Sequence, residues 1–414
     1  MRARGLLAAT FWLLGAGFVA AIPYIPPPQP IYEAPIDRAL ENVAAMEGVP
    51  AAQREQLLGR LNLLAYARND PQFAYLRTDN RLITAGSVLC AEVQASPFGF
   101  RGADAKPQAF AADERCAAHD FQLGPEAEIM EPGAPPDPSV AARARLTAAG
   151  RHYAEAVRLE PENLRARLGY AYVLDRQRRL GAARRQLREI IARGAPLLNG
   201  PGADWETHAV LTEAATHLEH LARARRDKAQ IAMLRTRLAG SEPIRYVTPI
   251  VAPLVDAPFS GLIDNASPVA FDFAGTGDKG AQGWLTPDAA WLVWDPAWRG
   301  DIRSGFDLIG QRAWSVFWRD GFEALRALDD DRDGALTGAE LGGLSLWRDD
   351  DSDGVSDPGE VIPVQVHGVV ALDVNARRAR PGLLVAPAGI RFDDGRTRAL
   401  YDWTPGLTGG EAVS

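Results

Sequence analysis

The sequence predicts a multidomain, mainly α-helical protein in which a domain of helical hairpins precedes an α+β domain. A chain of 414 residues is longer than one hydrophobic core usually supports, so two or three domains are expected. Residues 136–240 are rich in alanine and arginine, and their apolar residues recur at helical spacing. Proline and β-branched residues then become frequent across residues 241–266, which indicates a linker between the two domains.

The N-terminal segment has the features of a secretory signal. Two arginines precede an apolar run that ends in the small residues Ala20 and Ala21. We therefore expect residues 1–21 to be a signal peptide and the protein to be secreted or periplasmic. The alternative is that this run of about 17 apolar residues is retained and anchors an extracytoplasmic protein in the membrane. The proline-rich residues 22–34 should form an extended linker after export.

Residues 35–135 are predicted to form a mostly helical N-terminal region. Apolar residues recur at helical spacing from Ile36 to about Ala67, and the sequence indicates no function for this region. Cys90 and Cys116 are the two cysteines of the chain. In an oxidising compartment they could form one disulfide, but the sequence leaves this bridge open, as it leaves the oligomeric state.

The helical residues 136–240 contain a repeat-like pattern of small and large side chains. In "AAGRHYAEAVRLEPENLRARLGYAYVLDRQRRLGAARRQLREII" the small residues allow paired helices to approach closely, and the large ones fill the groove between them. This pattern resembles the tetratricopeptide repeat at Ala149, Tyr153, Ala156, Val157, Leu159, Pro161, Leu168, Gly169, Ala171, Tyr172, Leu180, Ala183 and Leu187. The resemblance implies a concave surface that binds a protein or peptide partner. A generic helical-hairpin domain is the alternative.

Two acidic clusters between Leu328 and Glu360 have the spacing of calcium-binding loops. Each matches the twelve-residue pattern D-x-[DN]-x-[DN]-G-x5-E. In such loops alternate side chains turn inward, the glycine allows a sharp bend, and the final glutamate closes the shell of oxygen ligands. A bound cation would offset the repulsion among so many carboxylates. We expect two calcium sites, with a magnesium site or a solvated acidic surface as the weaker alternatives.

The pattern assigns the ligands of both loops by position. The side-chain ligands expected in the first loop are Asp329, Asp331, Asp333, Thr337 and Glu340, and the backbone carbonyl is that of Ala335. Those expected in the second loop are Asp349, Asp351, Asp353, Asp357 and Glu360, with the carbonyl of Val355. The second loop has one more carboxylate but a stiffening Pro358 at its exit, so the order of the two affinities stays open.

Two further segments look like degenerate copies of this loop. The segment "DPAWRGDI" keeps Asp295, Gly300 and Ile302 at positions 1, 6 and 8 but lacks the other ligands, and "DFAGTGDKG" keeps Asp272 at position 1. The order of these segments across residues 267–374 resembles the EF-hand-like calcium-binding module of large exported bacterial proteins, including repeats-in-toxin relatives. The resemblance implies that calcium drives the folding of a module outside the cytoplasm.

The short distance between the loops predicts the local fold. Eight residues, Leu341–Arg348, separate the two loops, which is too few for two helices and a linker. We therefore expect one short shared helix that buries Leu341, Leu344 and Trp347. Such a connection leaves no room for the wide opening of a calcium sensor, so the predicted role of the ions is structural. Residues 375–414 are predicted to form a β-hairpin and a tail.

Few residues indicate catalysis. The segment "GTGDKG" fits G-x-G-x-x-G, but no helix follows it to bind a phosphate. Glu213, His217 and His220 share one helical face and could bind zinc, although such residues are more often solvated. The net charge of −8 is concentrated in the acidic clusters and argues against nucleic-acid binding. The sequence therefore predicts an exported, non-catalytic calcium-binding protein. The alternative is a secreted hydrolase with the calcium module as a scaffold.

Overall fold

The computed structural model describes residues 31–34, 36–67, 73–76, 140–199, 205–221, 224–240, 247–273, 279–296 and 298–405. The predicted signal peptide, most of the proline-rich linker, Cys90 and Cys116 lie outside these residues. Within the described ranges, no helix combines the length and the apolar character needed to cross a bilayer. Strand β1 (Ile31–Ala34) pairs antiparallel with β2 (Phe73–Leu76).

Seven described α-helices between residues 36 and 240 form what we call the helical unit. They are α1 (Ile36–Ala45), α2 (Ala51–Ala67), α3 (Val140–Leu159), α4 (Leu164–Arg176), α5 (Leu180–Gly194), α6 (Trp205–Leu221) and α7 (Arg225–Ala239). Asn163 caps the start of α4, because its side-chain oxygen accepts a hydrogen bond from the Ala166 amide at 2.9 Å. Such a cap satisfies one of the amide donors that have no partner within the helix.

Small residues set the spacing between these helices. A Cβ atom on Gly169 of α4 would lie 2.2 Å from the ring of Tyr153 on α3. A Cβ atom on Gly194 of α5 would lie 2.7 Å from the side chain of Leu211 on α6. The small side chains that are fully buried in this packing include Ala149, Ala156, Ala171 and Ala183. These contacts fit closely paired helices, whereas the tetratricopeptide nature of the pairs stays a prediction.

Residues 247–405, as far as they are described, form what we call the sheet unit. Its nine-stranded antiparallel sheet consists of β3 (Ile250–Pro253), β6 (Ala289–Trp294), β7 (Ala335–Thr337), β8 (Leu344–Trp347), β9 (Val361–Pro363), β10 (Val369–Asp373), β11 (Arg377–Arg380), β12 (Leu383–Phe392) and β13 (Thr397–Trp403). The order is β7-β10-β12-β13-β3-β6-β8-β9, and β11 pairs with β12. Strands β4 (Ile263–Phe271) and β5 (Gly280–Leu285) form a separate antiparallel pair, and α8 spans Gly321–Arg326.

The predicted fold class is wrong. The protein is not mainly α-helical with an α+β EF-hand-like domain, because an antiparallel sheet dominates the calcium-loop region. The shared helix expected between the loops is instead a 3₁₀ turn, Gly338–Leu341, followed by strand β8. The chain leaves the helical conformation at Gly342, which is extended, and Gly343 follows with a φ of +89° at a point where a Cβ atom would lie 2.8 Å from the Trp294 ring. Strand β8 then pairs with β6 on one side and β9 on the other.

Both faces of β6 are buried, and alternate residues of this strand belong to different cores. Leu292 packs in the core that includes α8 and the helical unit. Trp291 packs in a second, aromatic core, where its ring stacks on that of Trp403 with 5.9 Å between centroids and 5° between planes. Phe271 of β4 and Trp284 of β5 belong to this second core, so the β4–β5 pair covers that face of the sheet.

Phe317 joins the helical unit to the sheet unit. Its side chain is 2% exposed, and the guanidinium carbons of Arg60, Arg165 and Arg312 lie 4.7, 5.6 and 5.0 Å from the ring centroid. Arg60 belongs to α2 and Arg165 to α4, so two helices contact this one residue. Arg165 Nη1 also donates a hydrogen bond to the Phe317 carbonyl oxygen at 2.9 Å. Cation–π attraction is stronger where the ring is shielded from water, as it is here.

Candidate metal centre

Two acidic loops connect elements of the sheet unit. Loop 1 (Asp329–Glu340) follows α8 and contains β7, and loop 2 (Asp349–Glu360) connects β8 to β9. The eighth residue of loop 1, Leu336, lies opposite Leu372 of β10. The eighth residue of loop 2, Ser356, bonds instead to Ile302. Each loop therefore pairs with a different segment of the chain, and Leu336 does not join the two loops to each other.

The backbone of the two loops has the same special conformations at the same positions. The fourth residues, Arg332 and Ser352, have φ values of +62° and +59°. The sixth residues, Gly334 and Gly354, have φ values of +91° and +74°. A Cβ atom on Gly354 would also lie 2.8 Å from the side chain of Val269, so conformation and space both require glycine there. The repeated sequence pattern thus produces a repeated backbone.

The closing glutamates accept equivalent hydrogen bonds in both loops. Glu340 Oε1 accepts from the amide of Asp330 at 2.6 Å, and its Oε2 accepts from the amide of Thr337 at 2.9 Å. The matching bonds of Glu360, from the amides at positions 2 and 9 of loop 2, measure 2.8 and 3.0 Å. These bonds hold each carboxylate across its loop. The first aspartates are held similarly, since each accepts a bond from the sixth amide, at 3.1 Å in loop 1 and 2.9 Å in loop 2.

The structure brings most of the predicted carboxylate ligands together. In each of the following groups, one carboxylate oxygen per residue lies within 4.8 Å of the others: Asp329, Asp331 and Asp333; Asp349, Asp351 and Glu360; Asp351, Asp353 and Asp357. Glu340 does not belong to such a group among the described residues, and its two oxygens face backbone amides. The five predicted acidic side chains of loop 2 therefore fall into two groups that share Asp351, and three of the four in loop 1 form one group.

Burial makes these charges unfavourable without a counter-charge. The pKa of Asp349 is raised to about 6, mainly by burial and in smaller part by the nearby Glu360, against hydrogen bonds that include one from Trp284 Nε1 at 2.7 Å. Burial also raises the pKa of Asp329, and Glu340 and Asp333 add to the effect. In the described structure, Oδ1 of Asp329 is buried without a hydrogen-bond partner. A cation bound among these oxygens would satisfy the orphaned atom and stabilise the ionised carboxylates.

The raised pKa of Asp349 predicts a pH dependence of the stability in the absence of divalent ions. A carboxyl whose pKa is raised from 3.8 to about 6 by folding stabilises the fold below about pH 4, and this contribution is lost as the pH rises through 6. Protein stripped of divalent ions should therefore melt at a higher temperature at about pH 5 than at about pH 7.5. With calcium the order should reverse, because protons compete for the ligand oxygens.

Thermal melting of the stripped and the calcium-loaded protein at both pH values measures this effect. The variant Asp349→Asn should weaken the pH dependence of the stripped protein, because it removes the titrating group. The same pH dependence in wild type and variant would contradict the assignment to Asp349.

Helix α1 contacts loop 1 from outside, a feature that the sequence did not reveal. Arg38 Nε donates to Asp330 Oδ1 at 2.6 Å, and Asn42 Nδ2 donates to the same oxygen at 2.9 Å. Arg38 also bonds to the carbonyl oxygen of Leu328, and Asn42 to that of Ala327 at 3.1 Å. Asp330 is the second residue of loop 1, where the pattern expects an outward side chain. Its carboxylate connects the helical unit to the loop across 292 residues of sequence.

The degenerate segment that begins at Asp295 keeps the shape of the loop without its ligands. Trp298 and Gly300, at positions 4 and 6, have φ values of +52° and +67°. The amides at positions 5 and 6 donate to the two Asp295 oxygens at 3.0 and 2.8 Å, as the corresponding amides of loop 2 do to Asp349. The amide of Ile302, at position 8, donates to Ser356 Oγ of loop 2 at 2.8 Å. This segment, rather than loop 1, is the pairing partner of loop 2.

The other candidate residues do not converge in this way. Glu213, His217 and His220 form no group with metal-binding distances in the described part of the chain. His217 is fully buried, and its Nε2 lies 3.3 Å from Oδ2 of Asp175 on α4, so it belongs to the packing of two helices. Asp272 is buried, but residues 274–278 of the second degenerate segment, and with them most of "GTGDKG", lie outside the described ranges.

Comparison with known proteins finds a family match within the sheet unit and one relative that is similar over part of the chain. A family model described as the SPM domain matches residues 260–404, which contain loop 1, loop 2 and the degenerate segment. The iron-regulated protein FrpA of Neisseria meningitidis serogroup C is 29% identical over 142 residues, which are 32% of this chain and 13% of FrpA. The chain thus matches only a small part of that relative. Both comparisons describe what this chain is similar to.

Proposed function

We propose that the sheet unit is a calcium-stabilised module of an exported protein, with one calcium ion bound in loop 1 and one in loop 2. The observation that carries this proposal is the shared geometry of the two loops, which have the same left-handed residues and the same amide-to-carboxylate bonds. Carboxylate and carbonyl oxygens suit a hard divalent cation, and an all-protein cage of this size favours calcium over magnesium.

The ligands would come from the residues assigned by position. In loop 1 they are Asp329, Asp331, Asp333, Thr337, Glu340 and the Ala335 carbonyl, and in loop 2 they are Asp349, Asp351, Asp353, Asp357, Glu360 and the Val355 carbonyl. Glu340 would need a small adjustment of its carboxylate toward the three aspartates of its loop. An ion that binds only the folded arrangement stabilises it by mass action.

The surroundings of the loops support a structural role for the ions. Loop 1 is attached to the end of β10, because the Val374 amide and the Asn375 side chain donate to the Gly334 carbonyl oxygen at 3.0 and 3.2 Å. Loop 2 lies between two paired strands, β8 and β9. Each loop therefore fastens elements of one sheet and does not join a pair of helices that could swing apart.

Outside the loops, we propose that the protein is exported and that its helical unit binds a partner. Export is supported by the N-terminal signal pattern, with retention of that segment as a membrane anchor as the alternative. The similarity to the SPM domain supports a distinct module, because it coincides with the sheet unit. The helical unit would bind a protein or peptide partner, as its resemblance to tetratricopeptide repeats implies. We propose no catalytic role.

Terbium luminescence tests the proposed site in loop 2. Trp284 Nε1 lies 2.7 Å from Asp349 Oδ2, and Trp347 Nε1 lies 3.2 Å from Glu360 Oε2. A terbium ion that replaces calcium in loop 2 should therefore emit strongly when tryptophan is excited. The variant Asp349→Asn should lose most of this emission, and an excess of calcium should quench it by displacement.

The matched control is the equivalent substitution in loop 1. Asp329→Asn changes the same position of the other loop and leaves both tryptophan contacts intact, so most of the emission should persist. Absence of sensitised emission in the wild type would refute the loop 2 site. An equal loss in both variants would refute the assignment of the emission to loop 2.

A further inference from the structure

A cleft of about 390 Å³ lies in the sheet unit, and none of the proposed ligand residues of either loop lines it. Residues of α8 and the segment before it form one wall, and β11 with the start of β12 forms the other. Four arginines line the cleft: Arg319 and Arg326 on the first wall, and Arg378 and Arg380 on the second. The apolar side chains of Phe322 and Leu383 also line it. The cleft thus combines positive charge with an apolar surface.

Three of these arginines lack a neutralising carboxylate. Arg319 lies 3.5 Å from Asp320 and 4.0 Å from Glu323, so its charge is largely offset. Among the described residues, no carboxylate lies within ion-pair distance of Arg326, Arg378 or Arg380. Arg326 is half-buried, and its Nε atom is buried without a hydrogen-bond partner. A buried guanidinium nitrogen that lacks an acceptor is costly. Because this nitrogen is closed off from solvent, an anion in the cleft would meet the exposed part of the Arg326 side chain and not Nε.

The second carboxyl of the cleft does not cancel this charge. Asp402 is 2% exposed and accepts a hydrogen bond from the Gly321 amide. Burial raises the pKa of Asp402 well above its ordinary value, and the nearby Asp320 raises it further. Oδ2 of Asp402 faces the Gly321 amide, and in the described structure no ion pair joins Asp402 to the arginines of the cleft.

The geometry points to a binding site for a small organic anion that carries two carboxylate or phosphate groups on an apolar body. The planar fork of a guanidinium binds carboxylate and phosphate through two parallel hydrogen bonds. Arginines on opposite walls can hold two such groups, while Phe322 and Leu383 contact the body between them. The volume falls within the range of about 300–1,000 Å³ that is usual for small-molecule sites. This inference does not depend on calcium in the loops.

Calorimetric titration of the full chain tests this site. The probes are isophthalate, which carries two carboxylates on a benzene ring, phenyl phosphate, and the neutral benzyl alcohol. They are titrated in the presence of calcium, to which both anions bind only weakly. We expect isophthalate to bind, and the double variant Arg378→Gln/Arg380→Gln to weaken its binding by about tenfold or more, since charge-assisted hydrogen bonds are lost. Phenyl phosphate shows whether phosphate serves as well as carboxylate.

The adjacent Arg377 provides a matched control. It lies on the same exposed strand and carries the same charge, but it does not line the cleft. Arg377→Gln should therefore bind isophthalate nearly as the wild type does. If Arg377→Gln weakens isophthalate binding as much as the double variant does, a general positive field explains the binding and the site is overturned. If benzyl alcohol binds as tightly as isophthalate, the cleft is an apolar site and not an anion site. No heat from either anion would also overturn it. The terbium emission of the double variant should be unchanged, which separates this outcome from a failure of the calcium sites.

Discussion

Removal of calcium is expected to lower the melting midpoint of the full chain by a large amount. A site that is filled at about a hundredfold excess of calcium over its Kd stabilises the fold by about 2.7 kcal/mol, so two sites contribute about 5 kcal/mol. This is a large fraction of the stability of a typical domain. The physical reason is that folding forces buried acidic side chains such as Asp349 and Glu360 together, and the ion offsets their repulsion.

Single substitutions should show how much of the calcium-dependent stability comes from each loop. Glu340→Gln and Glu360→Gln remove the closing charge of loop 1 and loop 2 while keeping the shape of the side chain. Each should lose about one site's share, roughly 2.7 kcal/mol at the same calcium excess, and the double variant should respond little to calcium. Calorimetry should show two calcium ions per wild-type chain and one for each single variant.

An exposed acidic residue outside the loops gives the control for these variants. Asp394 lies in the turn between β12 and β13 and pairs with the exposed Arg396. Asp394→Asn should therefore leave the calcium effect unchanged. A wild-type melting midpoint that does not respond to chelation, together with the absence of calorimetric heat, would end the proposal of calcium binding.

Substitution of Phe317 is expected to have the second large effect. Phe317→Ala should cost about 3–5 kcal/mol of unfolding free energy, because it removes a buried aromatic side chain and leaves a cavity. It should also loosen the joint between the two units, since Arg60 and Arg165 lose the ring that they share. Far-ultraviolet circular dichroism follows the helices, and tryptophan fluorescence follows the sheet unit, which contains eight of the ten tryptophans. The two signals should coincide in the wild type and separate in the variant.

The variant Phe317→Leu distinguishes packing from cation–π attraction. It keeps most of the apolar volume but removes the ring, so its cost should be smaller than that of the alanine variant. If both signals still coincide in Phe317→Ala and the free energy changes by less than about 1 kcal/mol, Phe317 does not join the units as described.

The loops could be predicted from the sequence because their chemistry is local. A fixed spacing of carboxylates and one glycine within twelve residues determines the backbone, and the structure shows this spacing with left-handed Gly334 and Gly354. The segment between the loops could not be predicted so well. Leu341, Leu344 and Trp347 fit the buried stripe of a short helix, but a strand that is buried on both faces, as β8 is, also accommodates this spacing. Neighbouring strands, distant in sequence, decide the outcome.

Contacts between residues far apart in the sequence account for the other differences between the predicted and the observed fold. Strand β3 lies inside residues 241–266, which were expected to be a linker, and it pairs with β13, some 150 residues further along the chain. The contact of Arg38 with Asp330 and the clustering of arginines at Phe317 likewise join distant segments. No local pattern marks such partners, because exposed and buried arginines look the same in a single sequence. Burial and pairing become visible only once the chain is folded.

The degenerate segment that begins at Asp295 should influence the order in which the two loops unfold when the calcium concentration falls. Its bend is maintained by amide bonds to a single aspartate, so it has no need of an ion to keep its shape. Through Ile302 and Ser356 it contacts one side of loop 2, whereas loop 1 is bonded to α1 and to the end of β10 and to no degenerate loop among the described residues. We expect disassembly in calcium-poor surroundings to begin at loop 1 and to spread from there toward α1. Hydrogen exchange should record this as early loss of protection at residues 329–340, ahead of residues 349–360.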